Sequence, residues 1–158
     1  MSSDGVVFPF LLQGVKRPIV WVSLENAHGP RGRGLISPAL VDTGAASSMA
    51  PRAICEMLGH VFASGTDPST SGGIGVGRVE TFKHASRMTV LETPSGDAPP
   101  NPDSIIFGPI EIPLRCVDQR LPFLLLGQSD FLSLFRYAQN QSEGWFSLRR
   151  LRAGTGDI

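Results

Sequence analysis

One short stretch of the chain holds the residues best suited to acid–base chemistry. Asp42 directly follows the apolar run Pro38 to Val41, and Thr43 and Gly44 come next. An ionised carboxylate at the end of an apolar strand is costly to bury unless other groups compensate its charge. The Thr43 hydroxyl can fix the loop, and Gly44 lets another backbone approach closely. The pattern predicts one carboxyl group at the floor of a cleft, and the alternative is a turn aspartate that bonds only its own loop.

Peptide hydrolysis without a metal or a covalent intermediate requires two such carboxyl groups. At a separation of about 3 Å they cannot both ionise, so they share one proton. The ionised group then takes a proton from water while the other polarises the substrate carbonyl. Asp42 is the one aspartate of this chain that follows an apolar strand and precedes Thr-Gly. If Asp42 carries out this chemistry, the second carboxyl must come from another copy of the chain, in a two-fold homodimer.

Composition excludes several other classes of protein. The chain has 158 residues, 14 basic and 14 acidic side chains, a pI near 6.8 and a mean hydropathy of +0.05. Such a chain can form a proper core, and its balanced charge provides no field to attract nucleic acid or a membrane surface. We expect one folded domain over residues 1–158, with its core at about 15–150 and a tail at 151–158.

The two cysteines and three histidines predict no metal site, and no cofactor is expected. Cys55 and Cys116 form neither a disulfide framework nor a metal-ligand spacing, and they are expected to be buried, reduced thiols. The histidines are scattered along the chain at positions 28, 60 and 84. The N-terminus lacks a positive n-region, and the apolar run Val6 to Leu12 is too short to span a membrane. The sequence is thus typical of a cytoplasmic protein without a membrane partner.

Most of the remaining segments predict short strands joined by turns, in keeping with 18 glycines and 13 prolines. Strands are expected at Val6 to Leu12, Pro18 to Leu24, Leu35 to Val41, Arg78 to Phe82, Arg87 to Leu91, Leu121 to Gly127 and Trp145 to Leu148. A hairpin is expected at Ile105 to Leu114, turning at Gly108-Pro109. Short helices are expected at Pro51 to Gly59 and Asp130 to Tyr137, and residues 92–104 read as a proline-rich surface loop. This order favours a mostly-β closed barrel or folded sheet with one or two short helices.

Three motifs in this order resemble the single-domain retropepsin-like aspartic peptidases, over roughly residues 15 to 150. The first is Leu40-Val41-Asp42-Thr43-Gly44-Ala45, which is similar to the catalytic signature. The second is the glycine-rich segment Gly72 to Gly77, where the family carries a flap hairpin over the cleft. The third is Leu124 to Gly127 with a short helix after it, similar to the hydrophobic-hydrophobic-glycine motif behind the active-site loop. The helix after the signature resembles that of bacterial members.

The resemblance implies a closed acid-protease barrel in a single lobe and assigns roles to particular residues. Asp42, Thr43 and Gly44 would be catalytic, with Thr43 bonding across the dimer axis. The implied substrate-binding residues are Ala45, Gly73, Ile74, Gly75 and Val76. The chain departs from viral members at Ala46, where they carry an acid, and at Gln128, where they carry an arginine.

The sequence therefore favours a homodimeric aspartic endopeptidase that binds extended peptide or protein segments. Its apolar flap residues would favour hydrophobic substrate side chains. The alternative is a catalytically inactive member, kept as a dimerisation or peptide-binding module, which Ala46 and Gln128 favour. A third possibility is an unrelated β-barrel with a chance Asp-Thr-Gly. For the glycine segment itself, a plain hairpin turn is the alternative to a flap.

Overall fold

The computed structural model describes residues 5–12, 16–32, 34–72 and 78–152, and twelve strands lie within them. The strands are β1 (Val6–Pro9), β2 (Leu11–Leu12), β3 (Lys16–Arg17), β4 (Ile19–Asn26), β5 (Leu35–Val41), β6 (Met49–Pro51), β7 (Thr66–Gly72), β8 (Arg78–Leu91), β9 (Ile105–Val117), β10 (Leu124–Leu126), β11 (Phe135–Asn140) and β12 (Trp145–Arg150). The described helices are α1 (Arg52–Met57) and 3-10 turns at Phe62–Ser64 and Leu132–Leu134.

Six of these strands close into a barrel. They follow the order β4-β5-β10-β6-β9-β8, and β4 then pairs with β8 to complete the ring. β7 extends this sheet beyond β8, and β1, β12 and β11 form a separate three-stranded antiparallel sheet. The predicted mostly-β closed barrel in a single lobe is thus confirmed.

The barrel interior is filled by the apolar side of each strand. Along β4 the side chains of Val20, Val22 and Leu24 are buried, and the residues between them are partly exposed. Successive side chains of a strand point to opposite faces, so this alternation places one face of β4 in the core. Phe131 and Phe146 extend the same core towards the three-stranded sheet.

The predicted hairpin at Ile105 to Leu114 is wrong. One strand, β9, runs from Ile105 to Val117 and pairs with β8 along its length, with register shifts near Val90. Gly108, with φ of 112°, lies where the register shifts, and a Cβ there would meet the Met88 carbonyl oxygen at 2.8 Å. Gly108-Pro109 therefore makes an irregularity in a continuing strand instead of a chain reversal. Likewise β8 is one strand from Arg78 to Leu91, where two were predicted.

The predicted helix at Asp130 to Tyr137 is also wrong. Only the 3-10 turn Leu132–Leu134 is helical, and Phe135 begins strand β11. Phe131 and Phe135 are both buried, as a helix face would require, but the backbone of β11 pairs with β12 from Phe135 to Asn140. Pairing with a strand later in the chain has overridden the local helical pattern.

The prediction that Cys55 and Cys116 are reduced thiols is contradicted. Both residues are fully buried, as expected, but they form a disulfide between α1 and β9. The parallel pairing of β6 with β9 sets Ala50 opposite Cys116 and so carries the start of α1 to that strand. The predicted cytoplasmic location loses the support of reduced thiols, because disulfides persist mainly in oxidising compartments.

Candidate active site

Two neighbouring strands place Asp42 at the end of the barrel sheet. β5 runs parallel to β10, with Val41 opposite Leu126, and Asp42 is the first residue after β5. Its backbone N–H donates to the Leu126 carbonyl at 3.0 Å, which continues the ladder by one bond. Asp42 is partly buried while Val41 is fully buried. The carboxyl group therefore emerges where the apolar strand ends.

The loop after Asp42 folds back on that carboxyl group. The Gly44 N–H donates to Asp42 Oδ1 at 2.9 Å, and the Ala45 N–H donates to the Asp42 carbonyl at 3.2 Å. Thr43 and Gly44 at the turn are exposed, and Ala45 is partly exposed. A carboxylate that accepts from a backbone N–H two residues later forms an Asx-type turn. Asp42 thus makes the local hydrogen bond expected of a turn aspartate. It also lies at the exposed end of the paired strands β5 and β10, as expected of a carboxyl group in a cleft.

The segment after β10 crosses directly behind this loop. The N–H groups of Gln128 and Ser129 donate to the carbonyls of Ala45 and Ala46, each at 2.9 Å. A Cβ on Gly127 would lie only 2.4 Å from the Ser47 carbonyl carbon, so the crossing requires a glycine at this position. The two chain segments are therefore packed backbone to backbone.

Gln128 also holds the exposed turn. Its side-chain amide nitrogen donates to the Thr43 carbonyl. This hydrogen bond ties the Asp42 loop to the crossing segment. The side chain that makes it is uncharged. Gln128 thus bonds a backbone carbonyl at the position where the viral members of the resembled family carry an arginine.

Ser48 and Asp130 form a support that the sequence did not indicate. The Asp130 carboxylate accepts from Ser48 N–H at 2.9 Å and from Ser48 Oγ at 2.5 Å. Ser48 Oγ in turn accepts from the Gly127 N–H at 3.0 Å. Because Ser48 is fully buried, these bonds satisfy groups that would otherwise be costly to desolvate. They join the end of the Asp42 loop to the crossing segment.

Strand β7 extends the barrel sheet beyond β8. β7 and β8 pair antiparallel from Thr66 opposite Lys83 to Gly72 opposite Arg78. The predicted flap residues Gly73, Ile74, Gly75 and Val76 follow β7 in the sequence and lie outside the described residues. The described arms agree with a hairpin at this point of the chain.

Across residues 5–12, 16–32, 34–72 and 78–152, His, Cys, Asp and Glu side chains form no group of three that could hold a metal ion. In that same part of the chain, no helix is long and apolar enough to cross a membrane.

The closed barrel, with the segment after β10 crossing behind the Asp42 loop, defines a retropepsin-like fold. The chain is similar to the solved structure of a retropepsin-like aspartic protease from Rickettsia conorii, with 13% identity and a TM-score of 0.52. That match covers 89% of this chain and 95% of the Rickettsia chain. A second similar structure is EIAV protease complexed with the inhibitor HBY-793, with 21% identity over 75% of this chain and 88% of that one, and a TM-score of 0.40.

Comparisons of sequence gave no relative. No protein-family model matches the chain. No curated protein matches it either. At these identities the structural likeness shows the fold, and the activity is a separate question.

Proposed function

We propose that the protein is an aspartic endopeptidase that works as a two-fold homodimer. The observation that carries this proposal is the position of Asp42, at the exposed end of β5 in a retropepsin-like barrel, with its loop held from behind by Gly127 and Gln128. A rigid support of this kind is what a catalytic carboxyl group needs.

Each copy would supply one Asp42 carboxyl group. The acid that contacts the loop from within the chain, Asp130, is already engaged by Ser48. The partner's Asp42 would therefore complete the pair, and the two groups would share one proton. The ionised carboxylate takes a proton from water as the water oxygen attacks the peptide carbonyl, which the protonated carboxyl group polarises. The tetrahedral intermediate then collapses: its C–N bond breaks, and a carboxyl proton passes to the nitrogen of the leaving amine.

The other loop residues would position this pair and the substrate. Thr43 is exposed at the turn, as a bond across the dimer axis would require. Gly44 donates to the Asp42 carboxylate and so orients it. Ala45 and the hairpin tip with Gly73, Ile74, Gly75 and Val76 would line the cleft, where an extended peptide binds by main-chain hydrogen bonds.

The experiment is digestion of a diverse peptide library by the purified protein from about pH 4 to 7, the range in which a shared-proton carboxyl pair works. Asp42→Asn is run alongside, with Asp97→Asn as a matched control because Asp97 is an exposed aspartate of the 92–104 segment. The proposal expects cleavage by the wild type and by Asp97→Asn, and a loss of about a hundredfold or more in Asp42→Asn.

Two results would contradict the proposal. Equal cleavage by all three proteins would indicate a contaminant or different chemistry. No cleavage by any of them, from folded dimeric protein, would favour the inactive dimerisation or peptide-binding module instead.

A further inference from the structure

Arg115 on β9 is the one arginine or lysine that is buried among the residues the structure describes. Its relative exposure is 9%. A guanidinium remains charged at any ordinary pH, so its burial is costly unless hydrogen-bond acceptors surround it. The partners of Arg115 therefore indicate what its burial achieves.

All the side-chain bonds of Arg115 go to the β7–β8 hairpin. Its guanidinium donates to the Asp67 carbonyl at 3.1 Å, to Asp67 Oδ2 at 2.6 Å, to Ser69 Oγ at 3.3 Å and to Thr81 Oγ1 at 2.8 Å. These groups lie on both arms, because Asp67 and Ser69 belong to β7 and Thr81 to β8. One side chain thus holds both arms at the base of the hairpin.

The contact falls where β7 is irregular. The pairing of β7 with β8 shifts between Thr66 and Ser69, and Asp67 between them has a φ of +48°. A residue other than glycine is unfavourable in this conformation unless its surroundings hold it. Lys83 Nζ lies 3.2 Å from Asp67 Oδ2, and hydrogen bonds from Lys83 and Arg115 lower the pKa of Asp67. The bulge is therefore fixed by ionic contacts.

The backbone of Arg115 contacts the segment that follows the Asp42 loop. Its N–H donates to the Ser48 carbonyl at 3.1 Å, and Arg115 is opposite Met49 in the parallel pairing of β6 with β9. Ser48 is the residue that bonds Asp130 and the Gly127 N–H behind the Asp42 loop. Arg115 therefore contacts the hairpin through its side chain and the support of the catalytic loop through its main chain.

We propose that Arg115 is a positioning residue that sets the β7–β8 hairpin relative to the Asp42 loop. The guanidinium fork fixes the bulge at Asp67, and through it the angle at which the hairpin leaves the barrel. This inference rests on the proposed function, in which that hairpin covers the substrate. Loss of the fork would loosen the hairpin while the carboxyl group of Asp42 stays in place, so substrate binding would weaken more than turnover.

The test combines amide hydrogen exchange with kinetics on a peptide that the wild type cleaves. The variants are Arg115→Met, Arg115→Lys and Asp67→Ala; the last removes an acceptor whose side chain is 60% exposed and leaves the barrel intact. Arg87→Met is the matched control, because Arg87 also lies on a barrel strand and bonds Glu25 and two backbone carbonyls, but at the β4 side of β8.

We expect roughly tenfold faster exchange in the described arms of the hairpin in Arg115→Met and Asp67→Ala, with the rest of the barrel unchanged. KM should rise more than kcat falls in both, Arg115→Lys should restore part of the loss, and Arg87→Met should leave the hairpin and KM unchanged.

Other outcomes overturn the inference. Unchanged hairpin exchange in Asp67→Ala and in Arg115→Met contradicts it, whatever the activity. Faster exchange over the whole barrel, or equal effects in Arg87→Met, would show a general contribution to stability. If the wild type cleaves no peptide, the proposed function fails, and the exchange data still decide whether Arg115 holds the hairpin.

Discussion

At the scale of single residues, the site depends on how closely two backbone segments approach. Gly127 packs against Ser47 at a distance that no other residue type can accept. The same segment supplies the N–H groups that bond the Ala45 and Ala46 carbonyls. The geometry of the Asp42 loop is therefore set by the absence of a side chain at position 127.

We expect Gly127→Ala to lower the free energy of unfolding by about 2–3 kcal/mol, because the added methyl group must push apart two backbone segments. Gly29→Ala is the control, since the nearest atom to its Cβ would be Asn26 Cβ at 3.3 Å. Urea unfolding of both variants measures the difference. Equal stability of Gly127→Ala and the wild type would contradict this description of the crossing.

The sequence predicted part of this site because part of it is local. Asp42, Thr43 and Gly44 are adjacent in the chain, and their residue types already imply a turn with a carboxyl group. Ser48 and Asp130 are 82 residues apart, and Asp130 lacks the Thr-Gly pair that follows Asp42. The one sign of its role in the sequence is that it lies three residues after the Leu124 to Gly127 motif. That position brings Asp130 to Ser48 only because the segment after β10 crosses behind the Asp42 loop.

At the scale of elements, the predictions failed where distant pairing decided the structure. The segment from Asp130 to Tyr137 has helical spacing of apolar residues, yet its second half pairs with β12. Cys55 and Cys116 meet only because β6 and β9 run side by side. Neither contact leaves a local pattern in the sequence. The strands at β4, β5 and β12 were predicted because their apolar runs are local.

The contact between the segment after α1 and strand β8 is sensitive to pH because it contains a buried histidine with a lowered pKa. The ring of His60, after α1, packs at a tilt against that of His84 on β8, with the ring centroids 4.6 Å apart. Burial, together with the smaller effects of the nearby His84 and His28, lowers the pKa of His60 from 6.5 to about 4. The unfolded chain therefore binds more protons than the folded chain between these two pKa values.

We expect the stability contributed by His60 to be fully present above about pH 6.5 and to be lost as the pH falls towards 4. Between pH 7 and pH 4 the free energy of unfolding of the wild type should fall by up to about 3 kcal/mol more than that of His60→Phe. The Phe side chain keeps an aromatic ring at this position but cannot take up a proton. Urea unfolding of both proteins at several pH values gives the comparison. Parallel pH curves for the two proteins would show that His60 does not titrate in this way.

At the scale of the whole molecule, the barrel is single and carries one Asp42. A catalytic carboxyl pair would need two chains, so the activity and the oligomeric state are one question. The described part of the chain agrees with this requirement, since the Asp42 loop is exposed and its contacting acid is engaged elsewhere. The proposed activity therefore depends on whether two chains pair through their Asp42 loops.

The most direct measurement adds a tenfold excess of Asp42→Asn to a fixed amount of wild type, lets the subunits exchange, and follows peptide cleavage. If each active site needs Asp42 from both copies, most wild-type subunits enter mixed dimers and activity falls about tenfold. The same excess of Asp97→Asn should raise the activity. Cleavage that stays unchanged on addition of Asp42→Asn would contradict the shared carboxyl pair.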